Sequence, residues 1–234
     1  MRDLVVIGGG VGGLVTASVA GQLGLAVTLI EREPRLGGDC LHNGCVPSKT
    51  LLRSAQVAAL MRRGKAFGLP AWQPQVDMRA VSARIQEVVE CIQAHDDPQR
   101  FRSYGVQVVF GTACFISPNE VKVKGTRIAG RRFVIATGSR PKVPPIPGLE
   151  QAGYLTNEQV FTLQALPRRL AVLGGGPTGI ELAQAFHRLG SRVYLLEAAP
   201  EILPREESDI AAELRAILTA EGLDIRVGTG LERI

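Results

Sequence analysis

Two stretches of this chain repeat one pattern, and that repeat limits the possible fold more than any other feature. Leu4–Ile7 is a short apolar run, followed at once by Gly8-Gly9-Gly10-Val11-Gly12-Gly13. A small-residue helical stretch from Leu14 to Leu23 comes next, then a second apolar run, Leu25 to Ile30, ending in Glu31. The same order returns at Leu170–Leu173, Gly174-Gly175-Gly176-Pro177-Thr178-Gly179, a helical stretch through Leu189, and Val193–Leu196 ending in Glu197. Apolar runs without polar alternation read as strands of a parallel sheet buried on both faces. In each G-x-G-x-x-G the first glycine (Gly8, Gly174) permits a tight turn, and the second (Gly10, Gly176) lets a pyrophosphate approach the backbone. The third (Gly13, Gly179) lets the helix pack close to the strand. The helix N-terminus, at Val11 and Gly12 in the first copy, then offers unpaired N–H groups to phosphate. An acid at the end of the second strand accepts ribose hydroxyls. The chain is therefore expected to be α/β, with two Rossmann-like βαβ domains and two bound dinucleotides.

The rest of the chain fits between these copies. Gly64 to Pro74 is a loop interrupted by Gly and Pro, and it holds the one tryptophan, Trp72. Val76 to Ala94 places Val81, Ile85, Val88, Val89 and Ile92 on one face of a helix. Asp97-Pro98 looks like the start of a further short helix. Val106–Phe110 and Ala113–Ile116 read as strands, Val121–Val123 with Arg127-Ile128 as a hairpin around Gly125, and Arg132–Ile135 as the next strand. Prolines 141, 144, 145 and 147 make a stiff linker. The expected domains are 1–148, with an antiparallel β-meander, and 149–234, an incomplete second copy; Asp209 to Ala220 and Leu223 to Val227 add one more helix and strand.

A composition that is 45% hydrophobic with 27 glycines suits tight strand-to-helix turns. The net charge of +5 could suit a polyanion, but the arginines are scattered and not interleaved with aromatics, so no nucleic-acid partner is expected. No apolar stretch approaches the ~20 residues that span a bilayer, and Met1-Arg2-Asp3 leaves no room for a signal peptide. Four cysteines are too few for a secreted disulfide scaffold, so a cytoplasmic location is expected. Cys91 and Cys114 are expected to be buried thiols, and no metal site is indicated.

Cys40 and Cys45 lie in Gly37-Gly38-Asp39-Cys40-Leu41-His42-Asn43-Gly44-Cys45-Val46-Pro47-Ser48-Lys49-Thr50, ahead of a helical run from Leu51 to Leu60. In an undistorted helix they would stand roughly 7.5 Å apart along the axis, beyond the ~7 Å between Cα atoms that a disulfide spans. Pairing therefore requires an irregular backbone, which Gly44 and Pro47 allow. Two buried thiols are the plainer alternative. The flanking glycines and lysine favour a redox-active disulfide.

The run G-G-x-C-x4-C-V-P-S-K resembles the active-site signature of the class I pyridine nucleotide-disulfide oxidoreductases, which include lipoamide dehydrogenase, glutathione reductase and mercuric reductase. The resemblance implies that Cys45 faces a flavin as the charge-transfer thiolate, that Cys40 is the interchange thiol, and that Lys49 lies near the flavin N5 edge. Lys49 and a helix terminus would stabilise the Cys45 thiolate. Ala136-Thr137-Gly138-Ser139-Arg140-Pro141 resembles the family's second flavin-domain signature, beside the FAD phosphates. Ala113 matches a position whose backbone touches the adenine. Gly8, Gly10, Val11, Gly12, Gly13, Glu31 and Gly38 would hold FAD, and Gly174, Gly176, Gly179 and Glu197 a nicotinamide cofactor. Glu197 would repel a 2′-phosphate, which favours NAD over NADP, although Arg205 nearby could soften the preference. Glu181 matches a glutamate that pairs with the active-site lysine in relatives. His42 departs from the family's usual residue and is left without a role.

Electrons are thus expected to pass between NAD(H), FAD and the Cys40–Cys45 pair, to or from a disulfide, dithiol or metal-ion substrate. The resemblance covers essentially the whole chain but only the front half of the enzyme. The portion that finishes the NAD domain and forms a homodimer interface lies outside it. A non-catalytic FAD/NAD-binding module is one alternative. A flavin transhydrogenase is the other, and the intact cysteine pair counts against it.

Overall fold

The computed structural model describes all 234 residues, which form two compact units. They are not consecutive halves of the chain. The first contains Met1–Pro47 and Gln86–Pro141, the second Ser48–Ile85 and Lys142–Ile234.

The first unit opens with β1 (Arg2–Ile7), α1 (Val11–Gln22) and β2 (Val27–Glu31). A five-residue α2 (Gly38–His42) precedes α3 (Cys45–Arg62), which starts in this unit and continues in the other, as α4 (Met78–Gln93) does in reverse. Then come α5 (Pro98–Ser103), β3 (Val106–Phe110), β4 (Ala113–Ser117), β5 (Glu120–Val123) and β6 (Thr126–Ile135). The six strands form one sheet in the order β3-β2-β1-β6-β5-β4. Strands β3, β2, β1 and the C-terminal part of β6 are parallel, while β4, β5 and the start of β6 form an antiparallel meander. Alternation along β1 explains the layers. Val6 enters a cluster with Leu14, Ala17, Val27, Leu29 and Phe101, while Val5 enters a second with Ile30, Val121 and Val123 under the meander. Both faces of the parallel part are covered, as its apolar runs require.

Two expectations change here. The hairpin arm and the strand at Arg132 are one ten-residue strand, β6, which pairs with β5 through Ala129 and with β1 from Gly130 onward. Gly130 is where the strand crosses onto β1, and a Cβ there would stand 2.7 Å from the Val5 side chain. Cys91 and Cys114 are exposed, not buried. Cys114 is on β4, the outermost strand of the sheet, and Cys91 points away from the α4 face buried through Ile85 and Val89.

The second unit adds α6 (Leu149–Ala152), β7 (Arg169–Leu173), α7 (Pro177–Leu189), β8 (Arg192–Leu196), α8 (Ser208–Ala220) and β9 (Asp224–Arg226). Its three strands are parallel in the order β7-β8-β9. Ile180, Ala183, Phe186, Val193, Leu195, Ile202 and Leu218 are buried. The 48–85 segment belongs here through contacts remote in sequence: Arg62 Nη1 donates to the Arg188 carbonyl at 2.6 Å, and Ser82 Oγ to the Leu163 carbonyl at 2.7 Å.

Arg188 also binds Glu221 through two hydrogen bonds, of 2.6 and 3.0 Å, tying the end of α7 to the end of α8. Burial pushes the Glu221 carboxyl up, but hydrogen bonds and charge from Arg188 outweigh it, and the net displacement is down from 4.5. A carboxylate lowered in the fold stabilises it above the unfolded pKa, and that stability is lost as pH falls through the folded value. Arg188→Gln is therefore expected to melt below wild type at neutral pH and to match it well below pH 4.5. Thermal melts across that range check this, and an equal gap at both ends would mean that Arg188 acts by packing alone.

No helix of the chain is long and apolar enough to cross a membrane.

Candidate active site

Three segments converge at the C-terminal ends of β1 and β6 in the first unit. Gly8, at φ 110°, turns the chain out of β1 so sharply that a Cβ there would lie 2.1 Å from the Ala136 carbonyl oxygen. A Cβ on Gly13 would stand 1.8 Å from the Gly8 carbonyl oxygen, so only glycine lets α1 start this close to β1. The third segment is Gly37-Gly38, which bridges to Gly10 and places Gly37 N 2.8 Å from the Gly9 carbonyl. Gly8, Gly10, Val11, Gly12, Gly13, Gly38 and the Ala136-Thr137 turn thus surround one spot. Gly138 and Ser139 continue the turn, and Ala113 begins β4 on the cluster under the meander. The position is a switch point of the sheet, because the chain leaves β1 toward β2 on one side while β6 lies on the other. The first turn of α1 has no acidic residue and no side-chain cap, which leaves its first N–H groups available to an anion.

Glu31 closes this site from the end of β2. It is 8% exposed, and its carboxylate accepts from Gly9 N at 2.5 Å and Glu33 N at 2.8 Å. The oxygens keep further lone pairs for a ribose hydroxyl. A backbone passing too close for any Cβ, an uncapped helix N-terminus and a fixed carboxylate together fit the pyrophosphate and ribose of a dinucleotide.

The second unit repeats this arrangement. Gly174 stands at φ 105°, and a Cβ on Gly179 would lie 2.0 Å from the Gly174 carbonyl oxygen. Glu197 accepts from Gly175 N at 2.6 Å and Ala199 N at 2.7 Å. Leu203, unsuspected from the sequence, takes φ 48° so that its N–H reaches the Gly175 carbonyl at 2.9 Å and holds the following loop against the glycine turn. Arg205 is exposed on that loop.

The sequence expectation of an irregular backbone between the cysteines is met by a break at Asn43-Gly44, between α2 and α3. Cys40 is half-buried on α2, and Cys45 is exposed as the first residue of α3. Both are thiols in this structure, hydrogen-bonded side chain to side chain. Burial raises the Cys40 pKa above 9.0, reinforced by the side-chain hydrogen bond and charge of Cys45 and, least, by Asp39, and opposed by a hydrogen bond from the Cys45 backbone. His42 ties α2 back to the chain that enters it. Its Nε2 lies 3.1 Å from the Leu36 carbonyl, which can only accept, so Nε2 carries the proton. One turn into α3, Lys49 Nζ donates to both Glu181 oxygens, at 2.5 and 2.7 Å. Lys49 is 60% exposed at the side chain, so the pair adds little stability. Its consequence is positional, since it fixes the lysine on α7, two residues beyond Gly179.

Residues 2–234 match the pyridine nucleotide-disulphide oxidoreductase family. The chain belongs to that family. A mercuric reductase of Lysinibacillus sphaericus is 33% identical over 99% of this chain and 42% of its own length. A dihydrolipoyl dehydrogenase of Thermus scotoductus is 38% identical over 97% of this chain and 49% of its own. The copper(II) complex of the HOCl-induced flavoprotein disulfide reductase RclA from Escherichia coli superposes with a TM-score of 0.83 at 34% identity, over 99% of this chain and 50% of that one. The chain thus spans about half the length of the relatives it matches. The family comprises FAD-dependent enzymes that use NAD(P)H, and the two Rossmann-like units of this chain agree with that membership.

Proposed function

We propose that this chain is the FAD- and NAD-binding portion of a flavin disulfide oxidoreductase that exchanges electrons between NAD(H) and a disulfide, dithiol or metal-ion substrate through Cys40 and Cys45. The observation that carries the reading is the contact of the two thiols at the α2–α3 break, a few residues beyond the Gly37-Gly38 turn that closes on Gly10. In this reading the span 1–148 supplies the FAD-binding residues. Gly8 to Gly13 and Thr137 to Ser139 hold its pyrophosphate, Glu31 its ribose, and Gly38 and Ala113 complete the site. Residues 149–234 serve as part of the NAD domain, with Gly174, Gly176 and Gly179 at the phosphates. The Glu197 carboxylate, fixed by two amides, supports NAD over NADP, because it would accept from a 2′-hydroxyl and repel a 2′-phosphate.

When bound, FAD supplies two-electron exchange between a nicotinamide and the cysteine pair. The chain's own residues position and tune. Cys45, at the N-terminus of an 18-residue helix, is placed where the helix dipole favours a thiolate. Cys40 is the thiol that meets the substrate, forming a mixed disulfide that Cys45 resolves. Lys49 is held by Glu181 in one orientation. Exposed thiols at Cys91 and Cys114 suit a reducing cytoplasm, and the full-length enzyme is expected to be a homodimer.

The test is the visible spectrum of the FAD-reconstituted chain under anaerobic dithiothreitol. A long-wavelength charge-transfer band, present in wild type and lost in Cys45→Ser, is the expected result. Flavin bound without a band would overturn the role of Cys45. Failure to bind flavin at any concentration would overturn the flavin reading for this chain.

A further inference from the structure

His42 lies between the two cysteines, and the redox chemistry above gives it no part. It is the last residue of α2, two positions after Cys40. A helix of five residues cannot hold itself in place, because its few internal hydrogen bonds do not offset the cost of starting it. Its position is set by what ties it to the rest of the unit. Leu41 is buried, and His42 Nε2 donates to the Leu36 carbonyl at 3.1 Å. Leu36 directly precedes the Gly37-Gly38 turn, so this bond ties the end of α2 back to the chain that enters it.

The same carbonyl takes a second donor. Gln93, the last residue of α4, reaches it through Nε2 at 3.2 Å. Leu36 is 0% exposed, so bulk water does not reach this oxygen to replace either donor. Gln93 Oε1 is itself buried and has no hydrogen-bond partner. Turning the amide over would set that oxygen against the Leu36 carbonyl, acceptor against acceptor. The glutamine thus leaves its own oxygen unpaired in order to donate to Leu36.

We infer that His42 and Gln93 form one clamp on the Leu36 carbonyl that holds α2 where Cys40 meets Cys45, which makes His42 a positioning residue for the redox pair. It acts through the backbone of α2 and needs no contact with sulfur. The inference rests on reading Cys40 and Cys45 as a redox couple. Oxidation by glutathione disulfide forms the Cys40–Cys45 bond and breaks that of glutathione disulfide. Two electrons and two protons pass to give two glutathione thiols. The equilibrium depends on how well the dithiol already holds its sulfurs together, so loosening α2 favours the dithiol. With both donors gone the buried carbonyl is stranded. Only the dithiol can relieve this by moving α2, because the disulfide ties α2 to α3.

The test places the full chain and its variants in anaerobic glutathione buffers, with folding checked by circular dichroism. Disulfide and dithiol are read by alkylation and mass spectrometry of the Leu36–Lys49 peptide. His42→Ala is expected to favour the dithiol about threefold over wild type. Combined with Gln93→Ala, it should exceed the product of the two single effects by at least about threefold. His42→Gln can place an amide nitrogen where Nε2 stands and should return to near wild type. His42→Asn reaches only as far as Nδ1 and should behave like His42→Ala. The rival is an action by charge, since the imidazole lies within electrostatic reach of Asp96, as do His95 and Arg100. Nε2 donates in the neutral and the charged ring alike, so the His42→Ala effect should be equal at about pH 5.5 and 8, either side of the ordinary histidine pKa.

An equilibrium unchanged in both His42→Ala and the double variant overturns the clamp. So does an effect that His42→Gln fails to reverse, or one present at only one of the two pH values, which would assign His42 an action by charge. The clamp and the couple can fail separately. A pair that forms no disulfide in any glutathione buffer refutes the couple. Backbone hydrogen exchange at Asp39–Asn43 in the reduced proteins judges the clamp by itself: it should quicken at least about threefold in His42→Ala, and unchanged exchange overturns the proposal.

Discussion

Gly13→Ala is expected to lower the melting temperature of the chain by about 5–10 °C and to abolish retention of FAD. The added methyl would stand 1.8 Å from the Gly8 carbonyl oxygen, and both are held by backbone. Neither can rotate away. Relief requires α1 to shift off β1, which disturbs the cluster that Leu14 and Ala17 form with Val6 and Leu29. Overpacking of this kind costs about 1–3 kcal/mol and falls at the upper end where backbone atoms collide. The shift also moves the first-turn N–H groups away from the pyrophosphate. Gly179→Ala, 2.0 Å from the Gly174 carbonyl, is the matched control in the second unit. It should abolish binding of NADH while leaving flavin bound. Thermal melts with flavin fluorescence and NADH titration separate the two. A Gly13→Ala chain that melts within about a degree of wild type and keeps its flavin would sink the argument.

Removing the Glu31 carboxylate should be nearly as damaging, for an electrostatic reason. Gly9 N is buried, and its hydrogen-bond partner is Glu31 Oε2. Glu31→Ala strands that amide away from water and frees Glu33 N, for a cost of about 2–3 kcal/mol. It also takes away the ribose acceptor, so affinity for an adenine dinucleotide should fall at least about tenfold. Glu31→Gln is the sharper variant. Two N–H donors converge on the carboxylate, and glutamine offers one oxygen and one NH2, so one donor must face another. Its stability should therefore recover only part of the loss. If denaturant titration shows Glu31→Gln to be as stable as wild type, the two amides are not what fixes this carboxylate.

Much of this site was legible from sequence because its requirements are local. Gly8, Gly10 and Gly13 are needed within a single turn, and the acid at Glu31 follows one helix and one strand later. The second copy obeys the same steric rule at Gly174 and Gly179. The irregular backbone between Cys40 and Cys45 also followed from spacing alone, and it appears as the break at Asn43-Gly44.

Other features had no local signal. The hairpin arm at Arg127 and the strand at Arg132 read as separate, and only the pairing register shows that β6 runs straight through and changes partner at Gly130. Cys91 and Cys114 stand among apolar neighbours in the sequence. Burial depends on which side of a helix or sheet a residue faces, and an outermost strand such as β4 leaves Cys114 in solvent. Leu203 in the left-handed region is adopted for one hydrogen bond to Gly175, a partner its own sequence does not announce.

The sequence by itself determined that the chain makes two glycine turns, two strand-terminal carboxylates and a cysteine pair on irregular backbone. Each is a steric or covalent demand met within a few residues. Tertiary structure decided what those pieces meet. It brought Gly37-Gly38 and Ala136-Thr137 onto the first turn, assigned residues 48–85 to the second unit, and joined Lys49 to Glu181 across 132 residues of chain. Contacts between distant residues arise from packing the whole chain at once, so no short stretch of sequence can record them.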